Sequence, residues 1–98
     1  MIEHIVGFKF NESTTSEQKA EIIKRAKTLQ EDIPGIVSLA VGTNFSERSK
    51  GFELGLTVRF ENREALEVYG PHPKHVELVS YLKEVGLTDI LVLDFEIE

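Results

Sequence analysis

Residues 52–61 constrain the fold more than any other part of this chain. Phe52, Leu54, Leu56, Val58 and Phe60 alternate with Glu53, Gly55, Thr57, Arg59 and Glu61. Side chains on a strand point to opposite faces in turn, so this pattern predicts a strand with one buried and one open side. Such a strand needs neighbours at its edges and a second layer over its apolar face. The same period recurs three times. Val6, Phe8 and Phe10 alternate with Gly7 and Lys9, and His4 shares the parity of the apolar set. Val37, Leu39, Val41 and Phe45 alternate with Ser38, Ala40, Gly42 and Asn44. Near the end, Leu91, Leu93, Phe95 and Ile97 are expected to face the core, with Ile90, Val92, Asp94 and Glu96 opposite. Residues 44–51 are polar and predict a hairpin connection.

Helical spacing fills the intervals. Ile22, Ile23, Ala26, Leu29, Gln30 and Ile33 mark one face of a helix from about residue 16 to 32. Thr14 with Glu17, or Thr15 with Gln18, fits a capping box at its start. Pro34-Gly35 ends it, one residue lacking a donor and the other tolerating unusual backbone angles. Asn62 can cap a second helical region with Ala65, Leu66, Val68 and Tyr69 as its apolar face. Gly70-Pro71-His72-Pro73 interrupts that region, and helix resumes near Lys74 with Val76, Val79 and Leu82 inward until Gly86.

The order strand, helix, strand, strand, helix, strand predicts an α+β ferredoxin-like unit. Its four-stranded antiparallel sheet carries two helices on one face, in a single domain over residues 1–98. The other sheet face is expected to hold Ile5, Gly7, Ala40, Gly42, Gly55 and Thr57, together with Ile90 and Val92. Lys9, Arg59 and Asp94 are the charges among them. A solvent-washed face carries more charge than this, so a second copy of the chain is expected against it.

Composition narrows the function. Seventeen acidic against eleven basic residues give a net charge of -6, which disfavours nucleic acid as a partner. No apolar run reaches membrane-spanning length, and the amino-terminal residues do not read as a signal peptide. The absence of cysteine removes disulfide, thiolate and zinc–thiolate chemistry and favours a cytoplasmic location.

The segment Tyr69-Gly70-Pro71-His72-Pro73-Lys74-His75 holds two of the three histidines, the third being His4. Two prolines fix its backbone, and a fixed backbone aims side chains. An imidazole acts as a base near neutral pH, and a phenol donates to a developing oxyanion. His75, Tyr69 and His4 are therefore the candidate catalytic residues, while His72 either caps the resumed helix or faces water. His-x-x-His alone is a weak metal signal, and no metal or cofactor is expected.

These segments together resemble the stress-responsive alpha-beta barrel domain family. The resemblance is carried by residues 1–10, by Ile33-Pro34-Gly35-Ile36, by residues 58–65, by the His-Pro-x-His core of residues 72–75 and by Leu91-Val92-Leu93-Asp94-Phe95. It implies a homodimer whose two sheets close into a dimeric alpha-beta barrel. The candidate residues themselves predict a pocket that binds or acts on a small carbonyl-containing organic ligand; the resemblance adds less, since many members of the family have no determined activity. One plant branch is a polyketide cyclase working by intramolecular aldol condensation, and its similarity places a base at His75, a hydroxyl partner at Tyr69 and His4 in the pocket. Ala26 stands here where that cyclase has a pocket tyrosine. The competing expectation is a stress-associated interaction protein in which the histidines only anchor the kinked helix.

Overall fold

The computed structural model describes the whole chain, Met1–Glu98. Its elements run β1 (Ile2–Phe10), α1 (Ser16–Asp32), β2 (Ile36–Thr43), β3 (Leu54–Phe60), α2 (Arg63–Tyr69), α3 (Pro73–Val85) and β4 (Leu87–Glu96). The four strands form one sheet in the order β2-β3-β1-β4, every neighbouring pair antiparallel. The helices cover one face. Val58 and Phe60 of β3 lose all solvent contact beneath them, as the alternation requires. Ile22, Ala26, Leu29 and Ile33 are buried against the sheet, while Gln30 stays exposed and reaches the Val37 carbonyl at 3.3 Å.

Two parts of the expected architecture are corrected. There are three helices on the sheet face, not two. Gly70 ends α2 by donating to the Leu66 carbonyl, His72 is extended, and Pro73 starts α3 at a position where no amide hydrogen is needed. The prolines thus separate two helices where an interrupted single one was expected. The sheet is also not closed into a barrel: it is open, and β2 and β4 are its two edges.

Two finer expectations also change. Thr15 is the amino-terminal cap of α1, exchanging bonds with Gln18 in both directions. Thr14 is instead buried and donates to the Val85 carbonyl at 2.7 Å, tying the β1–α1 connection to the end of α3. At that junction Gly86 has φ of 120°, and a Cβ there would lie 2.5 Å from the Thr14 hydroxyl, so only glycine fits.

The facing of β4 is the reverse of the one expected. His4 pairs with Asp94, Val6 with Val92 and Phe8 with Ile90, which turns Ile90, Val92 and Asp94 toward the helices. Leu91, Leu93 and Phe95 face outward. Both parities of this strand are apolar, so hydrophobicity alone cannot choose between them. Phe52 also leaves the expected core. It precedes β3 and lies over Gly7 on the outer face, with the Lys9 ammonium 4.7 Å from its ring centre. Phe45 lies beyond the end of β2, almost fully exposed.

Candidate functional site

The break between α2 and α3 builds the site. Tyr69 ends α2 with its ring buried, packed edge-on to Phe60 at 5.0 Å between ring centres. One residue later the chain leaves the helix, and the Gly70 carbonyl becomes available to a side chain. His75, in the first turn of α3, takes it: Nδ1 lies 2.8 Å from the Gly70 oxygen. A carbonyl only accepts, so Nδ1 carries the proton and Nε2 is left as an unprotonated base. The His75 and Tyr69 rings are 4.3 Å apart and tilted by 42°. His4, on β1, lies 5.8 Å from Tyr69 on the other side.

The three sequence-predicted residues therefore converge on one cavity of about 180 Å³ between the sheet and α2 and α3. Its walls are otherwise mostly aliphatic and aromatic, and no lysine or arginine lines it. Ile90 and Val92 form part of the wall yet remain 46% and 44% exposed, so the cavity opens along β4. His72 is not part of it. Its Nδ1 accepts from the Lys74 amide at 3.1 Å and caps α3. No three histidine, aspartate or glutamate side chains converge as a metal-ligand set.

Asp94 is the residue that sequence reasoning missed. His4 donates from Nδ1 to its carboxylate, which fixes the orientation of the imidazole. The signal was a polar ring on the core-facing parity of β1, which demands a polar partner across the sheet. Placing Asp94 on the wrong face of β4 hid that partner.

The electrostatics divide the roles. Burial holds His75 below its ordinary value of 6.5; the Gly70 hydrogen bond opposes this, and the His4 and His72 rings reinforce it. The imidazole is consequently neutral at physiological pH and able to accept a proton. Burial pushes the Tyr69 hydroxyl up to about 12, so it stays a donor. That hydroxyl has no hydrogen-bond partner in the chain, and no fully enclosed polar side-chain atom is left unpaired, so it borders the cavity. A base and an unused donor against an apolar space suit abstraction of a proton beside a carbonyl, the donor meeting the oxygen as charge develops.

Comparison with known proteins agrees with this architecture. The family model described as "Stress responsive A/B Barrel Domain" matches residues 2–97. Olivetolic acid cyclase of Cannabis sativa is 30% identical over 77 residues, 76% of each chain. Among solved structures, an Arabidopsis thaliana protein superposes with a TM-score of 0.88 at 25% identity, covering 100% of this chain and 96% of its own. A dimeric ferredoxin-like protein of unknown function from Bacteroides fragilis gives 0.79 at 25% identity, covering 98% and 95%. The hydroxynitrile lyase of Passiflora edulis gives 0.86 at 21% identity, covering 99% and 93%, a likeness of fold alone. No helix of this chain is long and apolar enough to cross a membrane.

Proposed function

The chain belongs to the stress responsive A/B barrel domain family, and on that footing we propose that it is a homodimeric single-domain protein whose helix-side cavity binds and acts on a small, uncharged carbonyl compound. The observation that carries this is the His75–Tyr69 pair, a neutral base held by the Gly70 carbonyl beside an unused phenolic donor in an apolar hollow. His75 Nε2 takes a proton from the carbon next to the substrate carbonyl, and Tyr69 donates a hydrogen bond to the enolate oxygen that forms. His4, held by Asp94, lines the opposite wall and orients the bound molecule. The lack of any cation in the wall disfavours a carboxylate or phosphate inside. An apolar cavity of about 150 Å³ accommodates benzene, so this one holds a single ring or a chain of similar size, with longer substituents leaving past Ile90 and Val92.

The relation to olivetolic acid cyclase supports a narrower form of the same reading, in which the enolate attacks a second carbonyl of its own chain and closes a ring by aldol addition. Ala26 is buried and lies outside the cavity wall, so the first helix adds no polar group to such a reaction. A cytoplasmic location belongs to the same proposal, supported by a composition without disulfide-forming residues.

The test is hydrogen–deuterium exchange at the carbon beside the carbonyl of single-ring ketones such as acetophenone, followed by proton NMR in D₂O. Wild-type protein should accelerate exchange, and His75→Ala should return it to the rate in buffer. Exchange that is absent, or equally fast in His75→Ala, overturns the proposal.

A further inference from the structure

The helices stop short of the edge strand β4 and leave its inner face uncovered. Ile90, Val92, Asp94 and Glu96 all turn to the helix side. Ile90 and Val92 nevertheless stay about half exposed, and the Asp94 and Glu96 side chains are 42% and 63% exposed. Ile90 and Val92 belong to the cavity already described, whereas Asp94 and Glu96 line a second hollow of about 290 Å³. Leu66 of α2 is a wall of both. The His4–Asp94 pair bridges them, with His4 in the cavity and Asp94 in the second hollow. The two hollows are thus one trough along β4, apolar at Ile90 and charged at Glu96.

The charged end is completed by one face of α2. Arg63, Leu66 and Glu67 are three and four residues apart, so they lie on the same side of the helix. Asn62 accepts from the Ala65 amide and caps this helix, which holds Arg63 in its first turn. The Arg63 guanidinium is 3.7 Å from Glu96, and both side chains are largely exposed. Such a pair contributes little, so a ligand can compete for either partner. Asp94 is occupied by His4, and Glu67 forms no ion pair.

We infer that the site takes a carbonyl compound bearing an extended arm with an amide group, the arm lying along β4 and the amide held between Arg63 and Glu67. This rests on the proposed function and narrows its substrate class. Two residue steps on β4, about 7 Å, separate the level of Val92 from that of Asp94, and an extended arm of about six atoms covers them. Other arm ends fit worse. Three carboxylates share the hollow with Arg63, so a carboxylate on the arm meets more repulsion than attraction. An ammonium meets Glu67 but sets its charge beside Arg63. An alkyl end desolvates charged groups and gives them no bond. An amide offers its oxygen to the guanidinium, which only donates, and its N–H to the carboxylate, which only accepts. Arg63 and Glu67 thereby determine specificity without touching the reacting atoms.

The probes are acetophenones substituted opposite the acetyl group with an arm of about six atoms. One arm ends in an N-methyl amide and another is an alkyl chain of equal length. Binding to the full chain is followed in proton–nitrogen correlation spectra, and turnover by hydrogen–deuterium exchange. The amide-armed ketone should bind at least about tenfold tighter than the alkyl-armed one and shift the Arg63 and Glu67 signals. Its KM should fall by the same factor with kcat within about twofold. Arg63→Met should abolish that preference and leave acetophenone exchange at the wild-type rate, since the Arg63 side chain is 74% exposed and supports no other part of the fold. Equal binding of the two ketones, or an undiminished preference in Arg63→Met, overturns the inference and leaves the proposed reaction standing. Tighter binding of an arm ending in carboxylate or ammonium overturns the choice of amide. A preference that depends on Arg63, with no exchange of any ketone, upholds the arm site and overturns the reaction.

Discussion

Tyr69→Phe separates a catalytic role from a structural one more sharply than any other single change. The substitution removes one oxygen atom. The ring itself is 2% exposed and keeps its edge-on contact with Phe60 at 5.0 Å and its tilted contact with His75 at 4.3 Å. The hydroxyl bonds to no group in the chain, so its loss leaves no orphaned partner and the usual cost of 1–3 kcal/mol for an unsatisfied buried group does not arise. The expected change in stability is within about 0.5 kcal/mol. For a domain of this size that is roughly 2–4 °C in Tm. Against a developing oxyanion the same hydroxyl is worth much more, since loss of one such donor commonly costs about 10²–10³ in rate, or roughly 2.7–4 kcal/mol. Urea unfolding and ketone hydrogen–deuterium exchange on the same preparation measure both quantities. A fall of more than about 1.5 kcal/mol in stability would show that the hydroxyl has a structural partner. Exchange at the wild-type rate would show that it does not meet the substrate oxygen. Either result refutes the assignment.

Two further expectations follow from the same geometry. His75 titrates below its ordinary 6.5 in the folded chain, chiefly because it is buried. The unfolded chain therefore binds more protons around this pH, so stability contributed by the neutral ring is present above 6.5 and is lost as pH falls toward the folded value. Exchange should share that acid limb, with a midpoint below 6.5 and a plateau through neutral pH, and a midpoint above 7 would contradict burial of the base. His72→Ala removes the cap of α3 and should cost about 1 kcal/mol in urea unfolding. Its exchange rate per folded molecule should stay within about twofold, whereas a large loss of turnover would place His72 in the site.

The split between what was legible in the sequence and what was not follows the range of the forces involved. Local chemistry was readable. The α1 helix runs over Ser16–Asp32 as its spacing and its Pro34-Gly35 stop require, Asn62 caps α2, and the alternation of β3 names its buried residues, Phe52 apart. The His75–Tyr69 pairing was legible for the same reason, since only five residues, two of them prolines, separate them, and His4 joined them because alternation put it on the helix side.

Long-range choices were not readable. Thr14 satisfies as good a cap pattern as Thr15 until the end of α3 arrives beside it and draws its hydroxyl to the Val85 carbonyl. Phe52 continues the period of β3, yet it falls outside the strand and its ring covers Gly7. Most of all, β4 is apolar on both parities because both of its faces have work to do, one lining the cavity and the other carrying the outward ridge of Leu91, Leu93 and Phe95. Periodicity reports that a strand has an apolar side only when it has one. Which side of β4 meets the helices, and so whether Asp94 finds His4, was decided by its hydrogen-bonded register against β1, a pairing of residues about ninety positions apart in the chain.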